Sequence, residues 1–245
     1  MAEAYICAAK RSAIGCYAGS LATVRPDDLL AQVIRATLAE VPSLDAASID
    51  DVLMGCANQA GEDNRNVARM SVLLSGLPTS VPASTINRLC GSGLDAIGTM
   101  ARGIKAGELN VALAGGVESM TRAPFVMGKA ESAYGRAQIL EDTTMGWRFT
   151  NQALKAMYGA DTMPQTADNV AAEYGISREE QDLFAFNSQA KTAAAQKAGL
   201  FADEIVPIEI KDRRGNVSYF DVDVHPREYT LEKWAQLRTV KGGDG

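Results

Sequence analysis

The chain has 245 residues, 47% of them hydrophobic, and a formal net charge of −6. Ordinary apolar content with so modest a charge excludes a disordered chain, and the lack of a basic excess argues against a nucleic-acid partner. No run of roughly 18 apolar residues marks a membrane span, and Met1-Ala-Glu-Ala-Tyr5 has neither the basic nor the apolar part of a secretory leader.

Along the first 120 residues, strand-like and helix-like stretches alternate. Ala4–Ala9 is short and apolar and reads as a strand ending at Lys10-Arg11-Ser12. Pro26-Asp27-Asp28 opens a helix with Leu29, Leu30, Val33, Ile34, Thr37, Leu38 and Val41 on one side. Proline suits its first turn and the aspartates suit the positive end of its dipole. Val52-Leu53-Met54 is a buried strand ending at Gly55, Asn66–Ser75 a helix stopped by Gly76, and Val81–Ile86 a strand. Cys90–Ala106 is a helix with Gly107 as its stop, and Asn110–Ala114 a strand with Gly115-Gly116 beyond it. This β-α-β-α-β-α-β order argues for an α/β sheet with parallel or mixed strands.

The pattern changes near residue 117, so two domains are read, 1–117 and 118–245. From Met120 to about Gly159 the chain reads as loop-rich. Ser177 and Glu180 have capping-box spacing at the start of a helix that runs to about Ala198. Asp203–Lys211 and Val217–Asp223 are strand-like around a turn at Arg213–Asn216, and Thr230–Leu237 is a short helix. Lys241–Gly245 is a turn signal with nothing after it, which suggests a chain cut short.

The four cysteines, at 7, 16, 56 and 90, are too few and too scattered for a disulfide framework or a metal site. They fit a reduced, cytoplasmic setting. Cys90 stands apart from the others. In Asn87-Arg88-Leu89-Cys90-Gly91-Ser92-Gly93-Leu94 a strand leads into a short linker, and the cysteine falls where a helix begins. Unpaired N–H groups and the aligned peptide dipoles stabilise a thiolate there, which makes such a cysteine a nucleophile near neutral pH. Gly91 and Gly93 remove bulk, so a substrate can approach. A small buried hydrophobe on an apolar helix is the competing reading, and spacing alone does not separate the two. Cys7 reads as core packing, Cys56 as core or site lining, and Cys16 as a partly exposed thiol without a role. Glu62–Asn66 resembles a solvated loop, with an interface role as the alternative. The single histidine, His225, reads as a surface or structural residue.

Asn87–Leu94 resembles the acyl-enzyme cysteine signature of the thiolases, the acyl-CoA acetyltransferase family. Gly115-Gly116-Val117-Glu118-Ser119-Met120-Thr121-Arg122-Ala123-Pro124 resembles the turn after that family's fourth strand. Thr166–Ala171, Arg178–Asp182 with Phe184-Ala185, and Asp203–Pro207 resemble successive pieces of its loop domain. Gly55–Arg69 and Thr143–Phe149 look most like the members that act on 3-oxoadipyl-CoA in the breakdown of aromatic compounds. The resemblance implies an N-terminal α/β sheet domain with an inserted loop domain, and a C-terminal half absent from these residues.

The resemblance also implies chemistry. The Cys90 thiolate would attack the 3-keto carbon of a 3-oxoacyl-CoA, and a second CoA would then take the acyl group; the reverse reaction condenses two acyl-CoA molecules. Coenzyme A is then a cosubstrate, with no permanently bound cofactor and no metal. The Cys90 N–H would contribute to an oxyanion hole. Met163 would line the pantetheine and acyl pocket, with Thr162 where the family often has histidine, and Arg227 would lie near the CoA adenine. A homodimer or homotetramer is implied for the complete form, with no nucleic-acid or membrane partner. The family's Gly-His-Pro histidine, its Asn-Glu-Ala-Phe asparagine and its Cys-x-Gly-Gly-Gly acid/base cysteine belong beyond residue 245, so the chain alone is expected to be nearly inactive. The alternatives are an acetyl-CoA acetyltransferase of broader specificity, a non-catalytic CoA-binding or dimerisation fragment, and a ketoacyl synthase on the same fold.

Overall fold

A computed structural model describes residues 3–239, so the turn expected at Lys241–Gly245 lies outside the described residues. The elements in chain order are β1 (Arg11–Ser12), α1 (Pro26–Ala39), β2 (Asp51–Gly55), α2 (Val67–Leu74), β3 (Ala83–Ile86), α3 (Ser92–Ala106) and β4 (Ala112–Gly116). They continue with β5 (Phe125–Met127), β6 (Leu140–Asp142), α4 (Gln152–Tyr158), α5 (Met163–Tyr174), α6 (Arg178–Lys197), β7 (Ile205–Val206), β8 (Ile208–Lys211), β9 (Val217–Phe220) and α7 (Leu231–Ala235). Two compact units result: Met1–Pro124 with Glu204–Asp223, and Phe125–Asp203 with Val224–Gly245. The division read at 117/118 places residues 118–124 and 204–223 on the other side.

In the first unit, β2 is the centre of a parallel sheet of order β3-β2-β4. Its side chains alternate between two buried faces. Val52 and Met54 meet Leu30 and Ile34 of α1 and Val67 and Val72 of α2 in the larger core. Leu53 faces the other way, against Ala96 and Met100 of α3. The sheet is therefore sandwiched between helices on both faces, the architecture that βαβ connections produce. The returning segment joins this core through Ile208, which is 0% exposed, and Phe220. β8 and β9 form an antiparallel hairpin, while β7 pairs in parallel with β1. Arg11 binds Asp223 through both of its terminal nitrogens at 2.8 Å and Glu204 at 2.8 Å.

Two expectations in this unit fail for physical reasons. Residues 4–9 form no strand: Tyr5 and Ile6 are exposed, as is Cys7, which sequence placed in the core. Both edges of β2 are taken by β3 and β4, and among the described residues no strand pairs with 4–9. An apolar stretch without a ladder partner gains no hydrogen bonds from extending. Second, β4 runs on through Gly115 and Gly116 instead of stopping before them. Gly116 belongs there because a Cβ on it would stand 2.8 Å from the Gly55 carbonyl oxygen.

In the second unit α6 starts with the expected capping box: the Glu180 N–H donates to Ser177 Oγ at 3.2 Å, and the Ser177 N–H to Glu180 Oε2 at 2.9 Å. The short helix read over Thr230–Leu237 is α7, with Thr230 as its N-cap. Two helices were not foreseen. Asn151 caps α4, its Oδ1 accepting from the Leu154 N–H, and Thr162 opens α5, where its N–H donates to Gln165 Oε1 at 2.9 Å. The antiparallel pair β5–β6 occupies part of the stretch read as loop.

Candidate active site

The site grows from the C-terminal ends of β2, β3 and β4. Gly55 ends β2 directly under the start of α3, and a Cβ there would lie 2.4 Å from the Ser92 carbonyl carbon. Only glycine permits that approach, so the residue fixes where α3 begins. The helix starts at Ser92 with Gly91 as its N-cap, two residues later than expected. Cys90 therefore precedes the helix, in the turn that delivers it, and is exposed.

That turn is densely bonded. Asn87 Oδ1 accepts from the Leu89 N–H at 2.8 Å, and Leu89 sits at φ 49°, the left-handed region that a branched residue enters only when held. Ser92 Oγ accepts from the Arg88 N–H at 2.8 Å and donates to the Leu89 carbonyl at 2.5 Å. The Gly91 and Ser92 N–H groups donate to the carbonyls of Arg88 and Leu89. Of the N–H groups from Arg88 to Ser92, the Cys90 N–H alone has no acceptor among the described residues. A Cβ on Gly91 would meet only the Arg88 carbonyl, at an ordinary 3.5 Å, so packing does not require glycine there. A Cβ on Gly93 would face the Gly115 carbonyl of β4, at an ordinary 3.6 Å.

A second thiol lies nearby in the fold and has the opposite character. Cys56 is 0% exposed, and its Sγ donates to Asp63 Oδ2 at 3.5 Å. Burial first, then the carboxylates of Glu118 and Asp63, push the Cys56 thiol up to about 12. It stays protonated at neutral pH, whereas the Cys90 thiol is open to solvent. Cys56, Asp63 and Glu118 each bring a ligand-type atom to within 4.8 Å of one another. Hydrogen bonds already engage all three: Asp63 Oδ1 accepts from the Gly61 N–H at 3.0 Å, and Glu118 Oε1 from the Ala57 N–H. Glu118 is exposed along part of its side chain, yet burial of its carboxylate, opposed by the Ala57 N–H, holds its pKa above the usual range.

Sequence reasoning missed Asp63 and Glu118. Glu62–Asn66 is not a solvated loop: Asp63 is 5% exposed, Glu62 pairs with Arg122 and Arg25, and Asn66 caps α2 through Arg69. Asn66 immediately before an apolar helix was the available cue. The remaining expected residues lie in the second unit. Met163 is the first residue of α5 and is exposed. Arg227 is exposed, its N–H donating to Gln189 Oε1 at 3.2 Å. His225 is exposed as well. Among the described residues no helix is long and apolar enough to cross a membrane.

Comparison with known proteins agrees with this geometry. Residues 4–245 match the family model described as thiolase, N-terminal domain. A beta-ketoadipyl-CoA thiolase of Acinetobacter baylyi is 61% identical over 246 residues, covering 100% of this chain and 61% of that protein. A 3-oxoadipyl-CoA/3-oxo-5,6-dehydrosuberyl-CoA thiolase of Escherichia coli is 57% identical, covering 98% and 60%. The chain thus spans about 61% of the length of the curated relatives it matches. Among solved structures, the Bacillus anthracis acetyl-CoA acetyltransferase superposes with a TM-score of 0.83 at 34% identity, over 95% of this chain and 57% of that one. An α/β sheet between helices, with an exposed cysteine on a tight turn before the third helix, matched over residues 4–245, makes this chain a member of the thiolase family, corresponding to its N-terminal domain.

Proposed function

We propose that the protein carrying this chain is a thiolase-type acyltransferase that cleaves 3-oxoadipyl-CoA with coenzyme A, or runs the reverse condensation, through a thioester on Cys90. The observation that carries this reading is the Cys90 turn. The thiol is exposed, its flank at Gly91 is bare, and its own N–H is the one donor the turn leaves open. The names of the relatives at 61% and 57% identity support the choice of substrate.

In the forward direction the Cys90 thiolate adds to the C3 carbonyl, and the C2–C3 bond breaks. The electron pair leaves on C2, which is protonated to give acetyl-CoA, and a succinyl thioester remains on Cys90. A CoA thiolate then attacks that thioester and departs as succinyl-CoA, restoring the cysteine. The Cys90 N–H, assisted by the start of α3, stabilises the developing oxyanion. Met163 and Arg227 contact the pantetheine arm and the adenine, CoA being a cosubstrate and not a resident cofactor. The complete protein works as a homodimer or homotetramer in the cytoplasm. The 245 residues by themselves hold one histidine, outside a Gly-His-Pro context, and turn over little or not at all.

The test is thiolysis of 3-oxoadipyl-CoA by the full-length protein. Turnover that disappears in Cys90→Ser supports the reading. Absence of turnover with this and with shorter 3-oxoacyl-CoA substrates sinks it, and wild-type turnover by the 245-residue chain refutes the last clause.

A further inference from the structure

We propose that Glu118 is a positioning residue for the nucleophile turn, acting through the Ala57–Asn58 peptide group and the Asn87 side chain. This rests on Cys90 being the nucleophile and adds a residue that holds it. Three adjacent parallel strands end in register: Gly55 of β2 pairs with Ile86 of β3 on one side and with Gly116 of β4 on the other. The ladder continues one step further, the Cys56 N–H donating to the Ile86 carbonyl and the Val117 N–H to the Gly55 carbonyl, both at 3.0 Å. Glu118, Ala57 and Asn87 therefore follow three neighbouring strand ends side by side.

A chain of hydrogen bonds crosses them. Glu118 Oε1 accepts from the Ala57 N–H, and the same carboxylate from the Asn58 N–H. The carbonyl of Ala57 accepts from Asn87 Nδ2 at 2.9 Å. Asn87 Oδ1 accepts from the N–H of Leu89, the left-handed residue next to Cys90. The Asn58 N–H and the Ala57 carbonyl belong to one peptide group, and Asn87 Nδ2 and Oδ1 to one carboxamide, so a pull on one link is felt at the next. The preceding Cys56–Ala57 peptide, whose N–H also donates to Glu118, is steadied by its loop, where Gln59 Nε2 donates to the Cys56 carbonyl and Cys56 and Gly61 both bind Asp63. A carboxylate suits the far end because it only accepts, and its bonds to backbone N–H groups are charge-assisted.

The test measures the alkylation rate of each cysteine in the 245-residue chain with iodoacetamide, resolved by peptide mass spectrometry, for Glu118→Ala, Asn87→Ala, the double variant and Glu118→Gln. Cys7 and Cys16 serve as reference thiols and buried Cys56 reports general opening. The relay predicts that Cys90 slows about fivefold, the size of one net hydrogen bond, equally in both single variants and no further in the double. Glu118→Gln keeps an acceptor oxygen and returns Cys90 to within about twofold of the parent. An unchanged Cys90 rate in Glu118→Ala overturns the proposal. So does additive slowing in the double variant, or a change that Cys7 and Cys16 share, or Cys56 becoming reactive in Asn87→Ala, which does not touch it. Should Glu118→Ala not fold, Glu118→Asp, which shortens the carboxylate's reach, takes its place, and an unchanged Cys90 rate in it overturns the proposal. Alkylation needs no acyl transfer, so a failed thiolysis assay with an intact relay would refute the function and leave this inference standing.

Discussion

Placing a single methyl group on Gly55 should loosen the first unit more than most core substitutions. An alanine Cβ there would stand 2.4 Å from the Ser92 carbonyl carbon, 2.5 Å from the Gly93 nitrogen and 2.6 Å from Ser92 Cβ. Ordinary contact needs the two backbones to part by about 1 Å. Neither can easily do so. β2 is bonded on both edges, and α3 is held against Leu53 by Ala96 and Met100. The expected loss is about 3 kcal/mol, the upper end of the cost of overpacking. Because the chain forms two compact units, one global transition is not assumed. The assay is urea unfolding followed by circular dichroism, with hydrogen exchange of the β2 and α3 amides. Both tryptophans, Trp147 and Trp234, lie in the second unit, and their fluorescence should hardly change. A loss below about 0.5 kcal/mol, with α3 protection intact, would refute the packing argument.

Other outcomes follow from the ion pairs and caps. Asp223→Asn removes the charge that Arg11 grips at 2.8 Å and should cost about 1–3 kcal/mol, measured as the shift of the urea midpoint. The Asp223 carboxyl lies below the usual range because Arg11 binds it, and Glu62 because Arg122 does. A depressed carboxylate stabilises the fold above its unfolded pKa, so this contribution disappears as pH falls through the folded values. Asp223→Asn should therefore flatten the acid limb of stability against pH, and an unaltered limb would contradict the pairing. Glu118 has the opposite sign: its raised pKa favours the fold below the unfolded value, and that advantage is lost as pH rises through the folded one. Glu118→Gln should remove that decline in a pH-stability series. Ser177→Ala should cost about 1 kcal/mol, seen as faster hydrogen exchange confined to the first turn of α6.

Much of this fold is written locally and some is not. The helix opening at Pro26 and the capping box at Ser177 are short-range signals, and each of these helices starts where its signal stands. Thr162 with Gln165 and Asn151 carried the same kind of signal before α5 and α4 but were submerged in a stretch of poor periodicity. The apolar run 4–9 looked like a strand because composition reports willingness to pair, not whether a partner exists. Gly115 and Gly116 looked like terminators because a glycine needed for close approach has the same letter as one needed for a turn. The glycine-flanked turn at Cys90 was legible in the sequence, although the helix begins two residues after the cysteine. The contacts of Asp63 and Glu118 with Cys56 and Ala57 were not, because they form between segments that meet only after the sheet assembles.

The most direct test of the central claim is peptide-resolved mass spectrometry after exposure to excess acyl-CoA, comparing the parent with Cys90→Ser. One thioester-linked acyl group is expected, on the peptide containing Cys90, and none in Cys90→Ser. An acyl group on Cys7, Cys16 or Cys56, undiminished in Cys90→Ser, would contradict it.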